Sequence, residues 1–211
     1  MTSGKSGGRG SDAVVWQHGR VSAVDRERLL GQRPMTVWFT GLPGSGKTTL
    51  AFELERRLTD QGRACFVLDG DNVRHGLNGD LGFAPADRRE NIRRVAEVAH
   101  LMNQAGLIVV AAFITPYDAD RRMAREIIGA DRFLEVYLSA DLETCERRDP
   151  KGLYAKARAG TVTDFTGVSA PYEVPREPAL VLATDEFTVG ECVDRLLFMV
   201  TARTSGPRVP P

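Results

Sequence analysis

No stretch constrains this chain more than Gly41-Leu42-Pro43-Gly44-Ser45-Gly46-Lys47-Thr48-Thr49. Its spacing is G-x-x-x-x-G-K-[ST], with the apolar run MTVWFT (35–40) before it and TLAFELERRL after it. Strand, glycine turn and helix in that order make a phosphate-cradling loop. Glycine lets the backbone adopt positive φ and approach an anion closely. The loop amides then point inward, the positive end of the following helix lies on the phosphates, and Lys47 adds a full charge. Thr48 offers the hydroxyl that Mg²⁺ takes in such loops. ATP and Mg²⁺ are therefore the expected cofactors, with all nine residues from Gly41 to Thr49 as ATP contacts. The segment SGKSG at 3–7 has similar letters but neither the earlier glycine nor a preceding strand, and reads as tail.

Five short runs rich in Val, Ile, Leu and Phe punctuate the sequence: MTVWFT, ACFVLDG (64–70), LIVVAAF (107–113), RFLEVYL (132–138) and ALVLAT (179–184). They alternate with helical patterns, which predicts a parallel sheet with helices on both faces. The expected fold is α/β, a three-layer fold of the P-loop nucleoside-triphosphate-hydrolase type with a parallel five-stranded sheet and a lid. Over 87–105 the helical period places Ile92, Val95, Ala96, Ala99 and Met102 on one stripe. Asp87 with Glu90 predicts a capping box there, and Thr188 with Glu191 predicts one for the last helix. That last helix carries the stripe Val189, Cys192, Val193, Leu196 and Val200. Residues 1–12 and 204–211 are expected to be disordered tails around one domain over 13–203. Residues 149–178 show no clear element and are rich in Lys, Arg, Gly and Pro. A loop of that length is a lid or disordered, and Lys151, Lys156 and Arg158 favour a lid closing over anions.

Composition excludes several classes. The 28 basic and 28 acidic residues balance, which argues against an extended nucleic-acid surface. Cys65, Cys145 and Cys192 lie far apart within apolar patterns and read as free thiols in a reducing, cytoplasmic setting. The three histidines share no metal-ligand spacing. No apolar run is long enough to cross a membrane, and the N-terminus lacks the apolar stretch of a signal peptide.

In open parallel sheets ligands bind beyond the C-terminal strand ends. DGDNVRHGLN follows the second strand and puts Asp69 and Asp71 at its exit, with Arg74 one turn later. A carboxylate there can hold Mg²⁺ or take a proton from an attacking hydroxyl; the alternative for Asp71 is an ordinary helix N-cap. ITPY follows the third strand. Arg88 and Asn91 share a helix face near a helix start, where an arginine is misplaced unless an anion is near. These groups point to a kinase with a second, anionic, small-molecule substrate, and they leave the acceptor open.

The segments GLPGSGKTT, DGDNVRHGLN, LGF, DRRENIRR, AAFITPY, DPKGLY, KARAG and DFTG, in this order, resemble the adenylylsulfate kinase (APS kinase) family over roughly residues 16–197. The resemblance implies MgATP-dependent phosphorylation of the ribose 3′-hydroxyl of adenosine 5′-phosphosulfate (APS), which yields PAPS, the activated sulfate donor. It also implies a homodimer and an association with ATP sulfurylase. Residue by residue, it gives Lys47, Asp71 and neighbouring Asp69 catalytic roles. Asp71, Arg74, Arg88, Asn91 and Lys151 fall on the substrate-binding set. Phe83 and Phe165 match two aromatics that sandwich the acceptor adenine, Ile114 matches a backbone contact, and Arg148 lies where the ATP base is covered.

Two positions depart from the family pattern. Pro43 replaces an expected serine, which stiffens the loop without removing a required amide. Thr115, also placed in the substrate site, stands where the family has a serine often labelled a phosphoserine intermediate; direct in-line transfer needs none. Phe165, within the lid, is expected to be mobile and to contribute little to stability. The alternatives are a P-loop kinase of another small acceptor, or a nucleotide-binding regulatory module with little turnover. The intact Lys47, Asp71, Arg74 and Arg88 speak against the second.

Overall fold

The computed structural model describes Val15 and residues 17–205. The tail expected at 1–12, the SGKSG segment and residues 206–211 lie outside the described residues. In chain order the elements are α1 (Ala23–Leu30), β1 (Thr36–Thr40), α2 (Lys47–Asp60), β2 (Cys65–Asp69), a 3-10 turn (Asn72–His75), α3 (Pro85–Gln104), β3 (Ile108–Ala112), α4 (Asp118–Ile128), β4 (Phe133–Leu138), α5 (Leu142–Arg148), α6 (Leu153–Arg158), β5 (Leu180–Leu182) and α7 (Val189–Thr204). All five expected strands form. They make one parallel sheet in the order β2-β3-β1-β4-β5.

The strands pair in parallel because each return runs through a helix, and alternating side chains then fill two cores. Val37 and Phe39 of β1, with Ile108 and Val110 of β3, meet Leu50, Leu54 and Leu58 of α2 and Val193, Leu196 and Val200 of α7. On the other face Trp38, Val109 and Ala111 meet Ile92, Val95, Ala96 and Ala99 of α3 and Ala124 and Ile128 of α4. β1 and β3, covered on both faces, are buried at every position, which is why they read as continuous apolar runs.

Three expectations need correction. The box of Asp87 and Glu90 does not form: α3 starts earlier, with Pro85 at its first position and Ala84 as an N-cap without a side-chain bond. Glu90 is instead claimed by Arg93 and Arg94 at 2.8 and 3.0 Å. The box of Thr188 and Glu191 does form. Residues 149–178 contain a helix, α6, whose first amides donate to the carboxylate of Asp149. The C-terminal tail does not begin at residue 204: Thr204 ends α7, fully buried, and Ser205 bridges to Gln32. Helix α1, which no periodicity announces, buries no residue and is held by a capping box of Ser22 and Asp25.

Candidate active site

The site lies along the C-terminal edge of the sheet. β1 runs into the glycine loop, and α2 leaves it from Gly46, an N-cap at φ 94° with no side-chain cap bond. The first amides of α2 therefore remain open to an anion. At Gly44 (φ 77°) a Cβ would come 2.8 Å from the carbonyl oxygen of Cys145, so α5 closes one wall of the loop. Lys47 folds back, donating to the carbonyls of Gly41 (2.9 Å) and Leu42 (2.7 Å) and to Ser45 Oγ (3.3 Å). Burial pushes its ammonium down to about 7, against the pull of nearby Cys145 and Asp69.

Two loop carbonyls are held from outside. Tyr154 of α6 donates its hydroxyl to the Pro43 carbonyl at 2.9 Å, and Thr184, just past β5, donates to the Ser45 carbonyl at 2.8 Å. Arg148 in turn donates to the hydroxyl and carbonyl of Thr184. Arg148 is thus fixed beside the loop by α5 and the β5 exit. Neither Tyr154 nor Thr184 was singled out by sequence reasoning.

At the β2 exit the two aspartates have different company. Asp69 is 4 % exposed; one oxygen accepts from Thr48 Oγ1 at 2.8 Å, and the other accepts the amides of Asp71 and Asn72 at 3.0 and 3.3 Å. Asp71 stands at the N-cap of the 3-10 turn, but its side chain makes no cap bond and is left for other partners. Its carboxylate is exposed and ion-paired with Lys151 of the lid. Thr48 and Thr49 are also exposed.

The predicted acceptor residues gather around one arginine. Arg88 Nε donates to the carbonyl of Phe83 at 2.7 Å, while its terminal nitrogens donate to Thr166 Oγ1 (2.9 Å) and to the carbonyl of Asp164. The turn carrying Phe83 and the lid turn carrying Phe165 are thereby joined. Phe83 is 64 % exposed, and the guanidinium of Arg74 lies over its ring at 4.3 Å. Burial, then the charge of Arg88, lowers the pKa of Arg74 against the pull of nearby Asp87, as expected where two cations converge. Asn91 is buried, its Oδ1 accepting from Asn78 at 2.9 Å.

Phe165 differs from its expectation. It is 8 % exposed and sits in a third apolar cluster with Ala140, Cys145, Tyr154 and Ala157, against Leu42 and Leu142. The lid is built on the phosphate loop through this cluster, so Phe165 belongs to a core. Thr115 also departs from its expected place: its hydroxyl, 1 % exposed, accepts from the indole N–H of Trp38 at 3.0 Å. Its backbone is at φ 40°, and its carbonyl accepts from buried Arg121 at 3.0 Å. The Ile114 carbonyl accepts from Thr40 Oγ1 at 2.7 Å and from the Gly41 amide at 3.4 Å. The ITPY turn therefore supports the first residue of the phosphate loop from behind.

A glycine loop between the first strand and helix of a parallel sheet in this order, with carboxylates at the next strand exit, defines a P-loop nucleotide-binding fold of the kinase type. The chain belongs to the adenylylsulphate kinase family, whose profile matches residues 33–183. An adenylyl-sulfate kinase of Marinobacter nauticus is 53 % identical over 190 residues, 90 % of this chain and 96 % of that protein. One from Bacteroides thetaiotaomicron is 57 % identical over 176 residues, 83 % and 88 % of the two chains. Among solved structures, the Mycobacterium tuberculosis APS kinase in complex with AMPPNP and APS superposes with a TM-score of 0.76 at 49 % identity, covering 79 % of this chain and 97 % of that one.

Proposed function

We propose that this chain transfers the γ-phosphoryl group of ATP to the 3′-hydroxyl of adenosine 5′-phosphosulfate, giving PAPS and ADP. The observation that carries the assignment is Arg88, which joins the Phe83 turn to the Phe165 turn beside a second arginine, Arg74. An exposed Phe83 ring beside a doubly cationic patch, tied by Arg88 to the turn that carries Phe165, suits an adenine that bears an anionic 5′ group. Phe165 contributes to the adenine site from within the lid core.

Thr48 and Asp69 present two hard oxygen donors 2.8 Å apart. Mg²⁺ accepts a few protein oxygens and completes its shell with phosphate and water, so these residues fit it. The ion supplies charge neutralisation on the phosphates. Asp71, exposed and two residues on, takes the proton of the 3′-hydroxyl as its oxygen bonds to the γ-phosphorus and the bond to the β–γ bridging oxygen breaks. Lys151 must release Asp71 for this step. Lys47 and the loop amides hold the β and γ phosphates, and Arg148 borders the nucleotide base. Transfer is direct, with no phosphothreonine, because the Thr115 hydroxyl is buried against Trp38 rather than presented to the phosphates.

A homodimer in the cytoplasm is part of the same proposal. Exposed Leu29 and Phe198 offer apolar surface for self-association, and Cys65, Cys145 and Cys192 are free thiols. No helix among the described residues is long and apolar enough to cross a membrane. The deciding experiment incubates the protein with MgATP and, separately, APS, adenosine monophosphate, shikimate and gluconate, with products identified by mass spectrometry. PAPS from APS alone is expected; turnover on another acceptor with none on APS overturns the assignment.

A further inference from the structure

The side chain of Tyr154 touches both halves of the site. Its hydroxyl donates to the Pro43 carbonyl at 2.9 Å. Its ring stands edge-on to Phe165, with centroids 4.9 Å apart and planes at 79°. At its backbone end it is fixed, because the amides of Leu153, Tyr154 and Ala155 all donate to Asp149, at 2.8 to 3.2 Å. Gly167, two residues past Phe165, packs so closely on the phosphate loop that a Cβ there would come 3.0 Å from Leu42.

A trans peptide is planar, so the carbonyl of Pro43 and the N–H of Gly44 point in opposite directions. Pro43 itself has no N–H to offer. By drawing the Pro43 carbonyl toward the lid, the Tyr154 hydroxyl turns the Gly44 N–H away from it. Gly44 has no side chain to hold that peptide, and glycine tolerates either orientation. Among the described residues no acceptor takes the Gly44 N–H. A free, outward-turned amide at this point of a glycine loop is the donor that a phosphate oxygen requires.

We infer that Tyr154 is a positioning residue for phosphoryl transfer: its hydroxyl aims the Gly44 amide at the nucleotide phosphates, and its ring ties that aim to the state of Phe165. ATP and the acceptor adenine are then coupled through one side chain, and the coupling is reciprocal. The coupling half of this inference rests on the proposed role of Phe165; the Gly44 half does not.

Tyr154→Phe separates the two halves, since it keeps the ring and removes only the hydroxyl. Calorimetric titration with AMPPNP and Mg²⁺, without acceptor, is expected to show affinity about threefold to tenfold weaker than wild type, the loss of one hydrogen bond's net worth. APS binding without nucleotide is expected to stay within about twofold of wild type, while the gain in APS affinity caused by bound AMPPNP shrinks toward none. In steady state, kcat/KM for ATP falls, and KM for the acceptor at saturating ATP rises by the lost coupling factor. The melting temperature is expected to move by no more than about 4 °C. Wild-type AMPPNP affinity in Tyr154→Phe overturns the inference, as does equal weakening of both ligands with a larger fall in melting temperature. If wild type fails to bind APS, the acceptor assignment falls, and the AMPPNP titration still decides the role of the hydroxyl.

Discussion

Thr48 donates its hydroxyl to Asp69 at 2.8 Å, whereas Asp71, two residues on, faces solvent and pairs with Lys151 of the lid. A carboxylate that is buried, locked by two backbone amides and joined to the loop threonine is suited to fixing a metal site. One that is exposed and held only by an exposed lysine is suited to exchanging a proton.

The two aspartates therefore separate by experiment. Asp69→Asn is expected to raise the Mg²⁺ concentration for half-maximal activity by about 10-fold to 100-fold, the usual cost of disturbing a metal's supporting partners. Asp71→Asn is expected to lower kcat by roughly 10²-fold to 10⁴-fold, as for a lost general base, with the Mg²⁺ dependence unchanged. Activity titrated against Mg²⁺ for both variants checks this; the reverse pattern exchanges their roles.

Lys47 makes a pH-dependent prediction. Burial lowers its pKa from 10.5 to about 7, so between those values the unfolded chain keeps a proton that the native state has shed. Stability of the nucleotide-free protein therefore rises with pH across that window and is lost as pH falls toward 7. Lys47→Met removes this dependence, and thermal melts from pH 7 to 10 read the difference. Bound phosphate favours the charged ammonium, so AMPPNP binding at pH 8 takes up as much as about one proton. Calorimetry in two buffers of different ionisation enthalpy measures that uptake, which disappears in Lys47→Met. Lys47→Ala is further expected to lose about 10²-fold to 10³-fold in kcat.

The two phenylalanines differ in burial and so should differ in stability. Phe165→Ala opens the third apolar cluster and is expected to destabilise by about 3–5 kcal/mol. Phe83→Ala, on an exposed ring, is expected to stay within about 0.5 kcal/mol. If both contact the acceptor adenine, each weakens APS by roughly 5-fold to 150-fold. ATP affinity should hold for Phe83→Ala. Denaturant titration with ligand calorimetry tests both points, and APS affinity unchanged in Phe83→Ala removes it from the adenine site.

The parts of the molecule visible in the sequence are those with a local code. Each strand is a short Val, Ile and Phe run, the loop has fixed spacing, and Thr188 with Glu191 is read within four residues. What escaped depends on distant partners or on competition. Tyr154 and Thr184 reach loop carbonyls 111 and 139 residues away, and a tyrosine in DPKGLY carries no mark of that bond. The Asp87 box failed because Pro85 set the helix start and Arg93 and Arg94 claimed Glu90. Helix α1 has no buried stripe, so periodicity is silent, although its Ser22 and Asp25 carry a capping signal. Phe165 looked like a lid residue because its loop is long; its burial depends on Cys145 and Leu42, outside that loop, as well as on Tyr154 within it.

Thr115 gives the last test. A β-branched residue at φ 40° is strained, and such strain persists only where surrounding contacts impose it. Here they are visible: Trp38 donates to the hydroxyl, and Arg121, paired with Glu135 at 2.9 Å, donates to the carbonyl. The residue thus shapes the turn that supports Gly41, and its oxygen is not free to attack phosphorus. Thr115→Val keeps the shape but strands the buried indole N–H, at an expected cost of about 1–3 kcal/mol. Thr115→Ser should retain the bond and most of the stability. Both variants should keep kcat within roughly tenfold of wild type, well short of the loss expected for a covalent nucleophile. Melts, steady-state kinetics and intact-mass spectrometry after a single turnover decide it: a stable but inactive Thr115→Val, with a phosphorylated wild-type enzyme, would make Thr115 the carrier of the phosphoryl group.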